Sequence, residues 1–359
     1  MASTTATRPV ANSLLAGHLP RWSPWALFIG SWVVFILVYV ILAAAGTTQG
    51  FDVVGALFFG TVLFDILIVV ISAIIEGGRR AVDRLVTSLV TTAFIVALLP
   101  LISLLYTVIA GGIPRFDAAF FTESMRNITG AGGGALHAIV GTLEITGIAT
   151  LMSVPIGLLT SIYLVEYGRG TLARIITFLV DVMTGIPSIV AGLFALALFT
   201  LILGPAARFG FIGSVALSVL MIPIVVRSSE EILKLVPNEL REASYALGVP
   251  KWLTIVKVVM PTSIGGITSG IMLAIARVIG ETAPLLLTAG LTTGMNYDPF
   301  NQRMTTLPVF TYDQYANQGI PASAFLDRAW TGALTLIILV AVFNIIGRVV
   351  SHYFSPKIR

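Results

Sequence analysis

The chain contains no cysteine among its 359 residues. Disulfides, zinc–thiolate centres and thiol chemistry are thereby excluded. Histidine is scarce: His18, His137 and His352 stand far apart, which argues against a metal cluster. Charge is also scarce. Asp, Glu, Lys and Arg make up 11% of the residues and hydrophobic side chains 57%, against about 25% charged and about 45–50% apolar in soluble domains. An ordinary water-soluble globule is excluded. The net charge of +4 fits membrane topology better than nucleic-acid binding, and no nucleic-acid partner is expected. A nucleotide-binding loop is absent as well. Lys234, Lys251, Lys257 and Lys357 follow Leu, Pro, Val and Pro, so no Gly-Lys pair exists to build a Walker A cradle. The first twenty residues lack a signal-peptide pattern, and a cytoplasmic N-terminus is expected.

What the chain has is long apolar runs. A bilayer core about 30 Å thick needs roughly 20 apolar residues in a helix, and backbone groups in lipid must bond within their own segment. Eight stretches qualify: Trp25–Ala45, Val53–Ile75, Leu85–Ile109, Ile139–Val165, Ile175–Leu203, Phe211–Leu233, Pro261–Ala289 and Ala329–Val350. With the N-terminus inside, fifteen Lys and Arg residues fall on the inner side and five on the outer, so both ends face the cytoplasm. The expected fold is an all-α polytopic membrane protein. A tail over 1–24 precedes an added hairpin over 25–75, set off by the charged loop "EGGRRAVDR", Glu76–Arg84. A six-helix core follows over 85–350, with a cytoplasmic loop at 234–260, and a tail at 351–359 ends the chain. The outer run "GAGGGALHA", Gly130–Ala138, matches no phosphate cradle and reads as a flexible loop. The aromatic-rich stretch Leu291–Gly319 is expected to pack over the outer mouth.

The stretch "ELREASYALGVPKWLTIVKVVMP", Glu239–Pro261, interrupts this pattern with charge and small residues. Asn238 suits an N-cap, and Glu239 suits the positive end of a helix. Leu240, Ala243, Ser244 and Leu247 share one face at i, i+3, i+4 and i+7. Gly248 stands where a left-handed residue ends a helix, and Pro250 prevents continuation. A second helical segment is expected over Lys251–Met260, and Pro261 suits the first turn of the following span. Periodicity alone leaves open an amphipathic connector resting on the lipid surface.

The order of residues adds more. "EASYALG", nine residues, then "VVMP" fits the pattern E-A-A-x3-G-x9-I-x-L-P with three substitutions. It resembles the cytoplasmic coupling loop of binding-protein-dependent ABC importer permeases. Further runs are similar to the phosphate importer permeases in particular: Ala138–Gly168, ending in "YLVEYG"; "GIPSIVAGLF" at Gly185–Phe194; "ARVIGETAPLLLTAG" at Ala276–Gly290; and "TLPVFTY" in the outer loop. The resemblance covers roughly residues 130–350 and is nearest the PstA type. It implies a MetI-like six-helix core in a bacterial plasma membrane, and a non-catalytic subunit. Its implied partners are a PstC-type permease, two PstB-type ATPases that bind ATP and Mg, and a PstS-type phosphate-binding protein outside. It also implies that a helix at 238–248 docks on the ATPase through Glu242, Ala243, Ser244 and Gly248, with Pro261 closing the motif. The family's transport-critical arginine and glutamate map onto Arg277 and Glu281.

The residues themselves support an anion path at that pair. Arg277 and Glu281 stand at i, i+4 and are expected to share a helix face, about 24 Å beyond Pro261 and inside the membrane. A charge there costs about 2.5–3.5 kcal/mol on insertion scales and faces a bundle interior or a cavity. The planar guanidinium meets an oxyanion with two hydrogen bonds. A mutually neutralising structural pair remains the competing reading. So do sulfate or molybdate as cargo, and a stand-alone channel or ion-coupled carrier. Asp65, Glu144 and Asp181 are weaker intramembrane candidates, more often structural. Gly266 and Gly270 form a G-x-x-x-G face that fits a partner permease or packing within the chain equally well.

Overall fold

The computed structural model describes residues 18–20, 22–45, 52–205 and 207–354, and no strand occurs among them. Most of the expected N-terminal tail, with Arg8 and Arg21, and the end of the C-terminal tail, with Lys357 and Arg359, lie outside the described residues. Among the described residues, seven helices are long and apolar enough to cross a membrane, or eight if one bent pair counts as a span.

The chain divides into two compact units, residues 1–104 and 105–359. The first holds α1 (Ser23–Ala44), α2 (Val53–Ile75) and most of α3 (Gly78–Gly112). Asp52 caps α2 by accepting from the Gly55 amide at 3.0 Å. The α1–α2 hairpin closes through Phe28 on Phe64, ring centroids 5.3 Å apart, and through Trp32 Nε1, which donates to Thr61 Oγ1 at 3.2 Å. At the turn into α3, Arg84 donates to both carboxylate oxygens of Glu76 at 2.6 and 2.9 Å. That bidentate pairing is the main cause that holds the Glu76 carboxyl down at about 2. Asp65 accepts from Ser88, so this candidate ties α2 to α3.

The second unit contains α4 (Ala118–Thr122), α5 (Leu136–Ile162), α6 (Thr171–Thr184), α7 (Ser188–Leu203), α8 (Gly210–Lys234), α9 (Asn238–Ala246), α10 (Lys251–Thr254), α11 (Met260–Val278), α12 (Ala283–Thr288), α13 (Leu307–Ala316) and α14 (Ala322–Phe354). α8 is its axis and is buried along most of its length. Small residues let α5 lie against it: Ser214 donates to the Ile145 carbonyl at 3.0 Å, and a Cβ on Gly157 would stand 2.7 Å from Val225. α11 covers another side of α8. A Cβ on Gly266 would meet Ile232 at 2.6 Å, and one on Gly270 would meet Ser228 at 2.5 Å. The G-x-x-x-G face is therefore spent within the chain and is not left for a partner.

Three expectations are corrected. The stretch Ile175–Leu203 is not one straight span: α6 and α7 meet at 110°. Pro187 has no N–H to continue a helix, and its own ψ of 138° is extended. The stretch Pro261–Ala289 is also divided, because α11 stops at Val278 and α12 resumes at Ala283. Pro261 stands in the first turn of α11, as expected, but it does not begin the helical run. It lies inside a helical run that begins at Lys251 and passes through a π-helical turn at Ile255–Val259. The wider turn sits where a proline would otherwise crowd the carbonyl four residues back.

The Gly-rich outer segment is not a free loop either. Fully buried Arg328 donates to the Gly130 and Gly132 carbonyls, each at 2.8 Å, and Arg115 donates to Gly133 at 2.7 Å. Glycine is required at 134, where a Cβ would lie 2.4 Å from the Ala119 carbonyl. In the outer stretch Leu291–Gly319, Phe310 is buried against Phe120 and His137, while Tyr297 and Phe300 stay exposed.

Candidate coupling site and substrate path

The interruption at Glu239–Pro261 folds as expected in outline, with one change at its start. Pro237, with φ −58° and ψ 140°, precedes the first helical residue; Asn238 is already inside α9, and no side chain caps it. Proline's fixed φ starts the helix in place of a capping hydrogen bond. Glu239 lies in the first turn, where the helix dipole favours it. At the other end Gly248 adopts φ +75°. Its amide donates to Tyr245 at 2.9 Å, and the Val249 amide donates to Ser244 at 3.2 Å. This closes the last turn in a left-handed stop. No atom lies within 4 Å of a Cβ built on Gly248, so the backbone angle and not crowding calls for glycine.

One side of α9 is fastened to the rest of the chain. Arg241 donates through Nε and Nη2 to Glu166 Oε1 at 3.0 and 2.8 Å, and both side chains are nearly buried. The same guanidinium donates to the Val236 carbonyl at 2.6 Å and the Leu233 carbonyl at 3.1 Å, at the end of α8. Glu166 belongs to a π-helical turn, Tyr163–Tyr167, that extends α5. Lys251 donates to the Glu166 carbonyl and stands 4.7 Å from the Tyr167 ring centroid. Ser244 and Thr254 share a buried hydrogen bond of 2.8 Å that ties α9 to α10.

The other side is open. Leu240, Glu242, Ala243, Tyr245, Ala246 and Leu247 are exposed, Leu247 to 83%. Trp252, on α10, is exposed beside them in sequence. Of the residues assigned to docking, Glu242, Ala243 and Gly248 reach this surface. Ser244 does not; it is the internal fastener. Pro261 lies apart from the surface, at the base of α11.

Arg277 occupies the last turn of α11, where the negative helix end suits a cation. The expected shared face with Glu281 does not exist, because the helix ends at Val278 and the Glu281 amide turns back to the Val278 carbonyl at 3.1 Å. The physical cause is the run Ile279–Thr282, which carries Gly280 and leads into Pro284 at the start of α12. No ion pair joins Arg277 to Glu281 among the described residues, and the Arg277 side chain is exposed on this chain. The break lies within the apolar stretch, since Pro284, Leu285 and Thr288 beyond it are buried, packed on α7 and α8.

The remaining intramembrane carboxylates have separate settings. Asp181 on α6 pairs with Arg227 on α8, which also pairs with Glu230 at 2.8 Å; Glu230 in turn pairs with Lys234 at 2.7 Å. This ladder fastens the first half of the bent pair to α8. Glu144 Oε2 is buried without a hydrogen-bond partner among the described residues. Neither the ladder nor the Arg241–Glu166 pair was legible in the sequence; only the i, i+3 and i, i+4 spacings within α8 carried a signal. Among the described residues no cluster of three or more His, Asp or Glu side chains forms a metal site.

Residues 153–359 match the family model described as the binding-protein-dependent transport system inner membrane component. A phosphate transport system permease protein PstA 1 from Mycobacterium tuberculosis is 47% identical over 284 residues, which is 78% of this chain and 91% of that protein. A phosphate transport system permease protein PstA from Yersinia pestis is 39% identical, over 77% of this chain and 92% of its own length. Two solved structures share the fold. A chain of an inward-facing MetNI methionine ABC transporter matches with TM-score 0.51 at 22% identity, covering 62% of this chain and 96% of that one. A chain of a bacterial alginate ABC transporter matches with TM-score 0.56 at 12% identity, covering 74% and 93%.

Proposed function

The chain belongs to the family of binding-protein-dependent transport system inner membrane components, and from that premise we infer that it is the membrane-spanning permease subunit of an ATP-driven phosphate importer. It works beside a second permease of the PstC type and two ATPase subunits of the PstB type, which bind ATP and Mg. A PstS-type protein delivers phosphate from outside, and both ends of this chain face the cytoplasm.

The observation that carries the reading is the two-sided construction of α9. Its exposed side offers small and apolar residues, Ala243, Ala246, Leu240 and Leu247, to a separate protein. Its inner side is bonded to the ends of α8 and α5, so a displacement of α9 is passed on and not absorbed. One route runs through α10 and the π-helical turn into α11, a helical run over Lys251–Val278 of about 40 Å at 1.5 Å per residue. Arg277 rides at its far end. ATP-driven closure of the ATPase dimer moves α9, the run tilts, and the guanidinium is presented to or withdrawn from the passage.

Arg277 suits that passage. An unpaired guanidinium turned to lipid costs about 2.5–3.5 kcal/mol on insertion scales. An aqueous path shared with the second permease relieves that cost and gives the fork a tetrahedral oxyanion to hold. Glu281, beyond the helix break, is placed to repel the anion once it has left the guanidinium. The reading is tested in proteoliposomes holding all four kinds of subunit. Phosphate uptake is expected to need ATP and to resist competition by sulfate and molybdate. Uptake by this chain without the ATPase would overturn it.

A further inference from the structure

The N-terminal unit contains a cavity that the transport reading leaves without a role. α1 and α2 pack ring on ring, but α3 leaves the turn at Gly77, whose φ is +90°, and stands away from them. It is tied back by Arg84 on Glu76 and by Ser88 on Asp65. Between the three helices a cavity of about 720 Å³ remains, inside the range of about 300–1,000 Å³ typical of small-molecule sites. The antiparallel hairpin brings the start of α1, the end of α2 and the start of α3 to one side of the membrane. From Arg80 to Ile95, both in the lining, the cavity follows about 22 Å of α3.

Its lining is graded. At the mouth stand Arg80, Asp83 and the Glu76–Arg84 pair. The charge there is positive, with Arg79, Arg80 and Arg84 set against Glu76 and Asp83. Glu76 neutralises Arg84, whereas the side-chain partner of Arg80 is the imidazole of His18 at 2.6 Å. Below the mouth two unlike walls face each other. Helices α1 and α2 supply Trp25, Phe28, Phe64 and Ile68; α3 supplies Thr87, Ser88, Thr91 and Thr92. Several helical threonines elsewhere in the chain, Thr142, Thr150, Thr160 and Thr262, donate to the carbonyl four residues back, although Thr311 has no partner among the described residues. The hydroxyls of Thr87, Thr91 and Thr92 form no hydrogen bond among the described residues. Hydroxyls at membrane depth without a partner are costly, so this wall asks for acceptors from a ligand.

A cation at the mouth, hydroxyl donors below it and an aromatic-aliphatic wall opposite match the three zones of one molecule class. We propose that the cavity binds one anionic glycerophospholipid, with its phosphate at Arg80, its ester carbonyls accepting from Thr87 and Thr91, and an acyl chain along Phe28, Phe64 and Ile68. The lipid fills the space that the splayed α3 leaves open and bonds α3 to the hairpin.

The test uses the full chain, purified in neutral detergent and titrated with phosphatidylglycerol or phosphatidylcholine of identical acyl chains under native mass spectrometry. One phosphatidylglycerol is expected to be retained, about tenfold more tightly than phosphatidylcholine, the difference expected of one charge-assisted contact. Arg80→Gln removes that preference. Ile95→Trp fills the cavity, leaves the charges in place and abolishes retention of both lipids, with helix content unchanged by circular dichroism. Brominated phosphatidylglycerol quenches a fluorescence component that Trp25→Phe eliminates. Equal retention of the two lipids, insensitive to Arg80→Gln, marks ordinary surrounding lipid and overturns the proposal. Retention of no lipid, with position 25 crosslinking to a partner subunit's helix, overturns it as well.

Discussion

Two arginines are central to the proposed function, and their settings differ in a way that experiment can separate. Arg241 is nearly buried and shares Glu166 and two backbone carbonyls; Arg277 is exposed and shares nothing among the described residues. Removing one partner of a buried ion pair costs about 3–5 kcal/mol, because the remaining charge is left uncompensated. Glu166→Gln is therefore expected to loosen α9 from the body. Hydrogen exchange of the α9 amides would rise sharply while α11 stays protected; unchanged exchange in α9 would show that the pair does not hold it. Arg277→Gln should do the opposite, leaving folding and subunit assembly intact. Phosphate uptake should fall about 10–100-fold, the equivalent of a lost charge-assisted hydrogen bond, and Arg277→Lys should fall between, since it keeps the charge without the fork. Uptake undiminished in Arg277→Gln would reduce the residue to a structural one. The sequence displayed Arg277, because a lone charge in an apolar stretch is conspicuous. It hid the Arg241–Glu166 pair, whose members are 75 residues apart and share no local spacing.

At the scale of elements, hydrophobic length located the helices long enough to span a membrane but not the short ones, and the stop at Gly248 was legible because left-handed geometry selects a residue type. What length cannot register is a helix that breaks without losing its apolar character. The bend of 110° between α6 and α7 and the gap between α11 and α12 both fall inside uniformly greasy runs, marked only by Gly-x-Pro and by Gly280 with Pro284. The π-helical turn at Tyr163–Tyr167 leaves no compositional trace, and the one at Ile255–Val259 is marked only by Pro261 after it, yet both turns adjoin α9. The turn between α9 and α10 gives the element-level prediction. A non-glycine residue held at φ +75° costs about 1–2 kcal/mol, more for a β-branched side chain, and nothing crowds the site. Gly248→Val should lose the ATPase in pull-downs while inserting normally. Gly248→Asn, which tolerates the left-handed region, should retain it. Loss of the ATPase in both variants would mean that the surface, and not the turn, demands glycine.

For the whole molecule, the division into units makes a statement about what transport requires. The core cluster that includes Ile145, Leu217, Met221, Val225 and Val278 draws its residues from the second unit, and the match to the family model begins at residue 153. The first unit has its own internal bonds at Glu76–Arg84 and Asp65–Ser88. α1 and α2 are two complete spans, so deleting both leaves the number of remaining crossings even or odd as before. The Lys and Arg residues flanking the later spans then still favour the same orientation. Removal of residues 1–77 is accordingly expected to yield a chain that inserts, assembles and supports phosphate uptake within about a factor of three, a loss of well under 1 kcal/mol in coupling. Deleting α1 alone is the sharper comparison. It leaves one unpaired span that must either reverse the N-terminus or fail to cross, and a cysteine added at the N-terminus should change its accessibility to a membrane-impermeant thiol reagent. The chain has no cysteine of its own, so the added thiol is read without background. If the longer deletion abolished uptake in a fully assembled complex, the N-terminal unit would be part of the transport machinery and the second unit would not suffice.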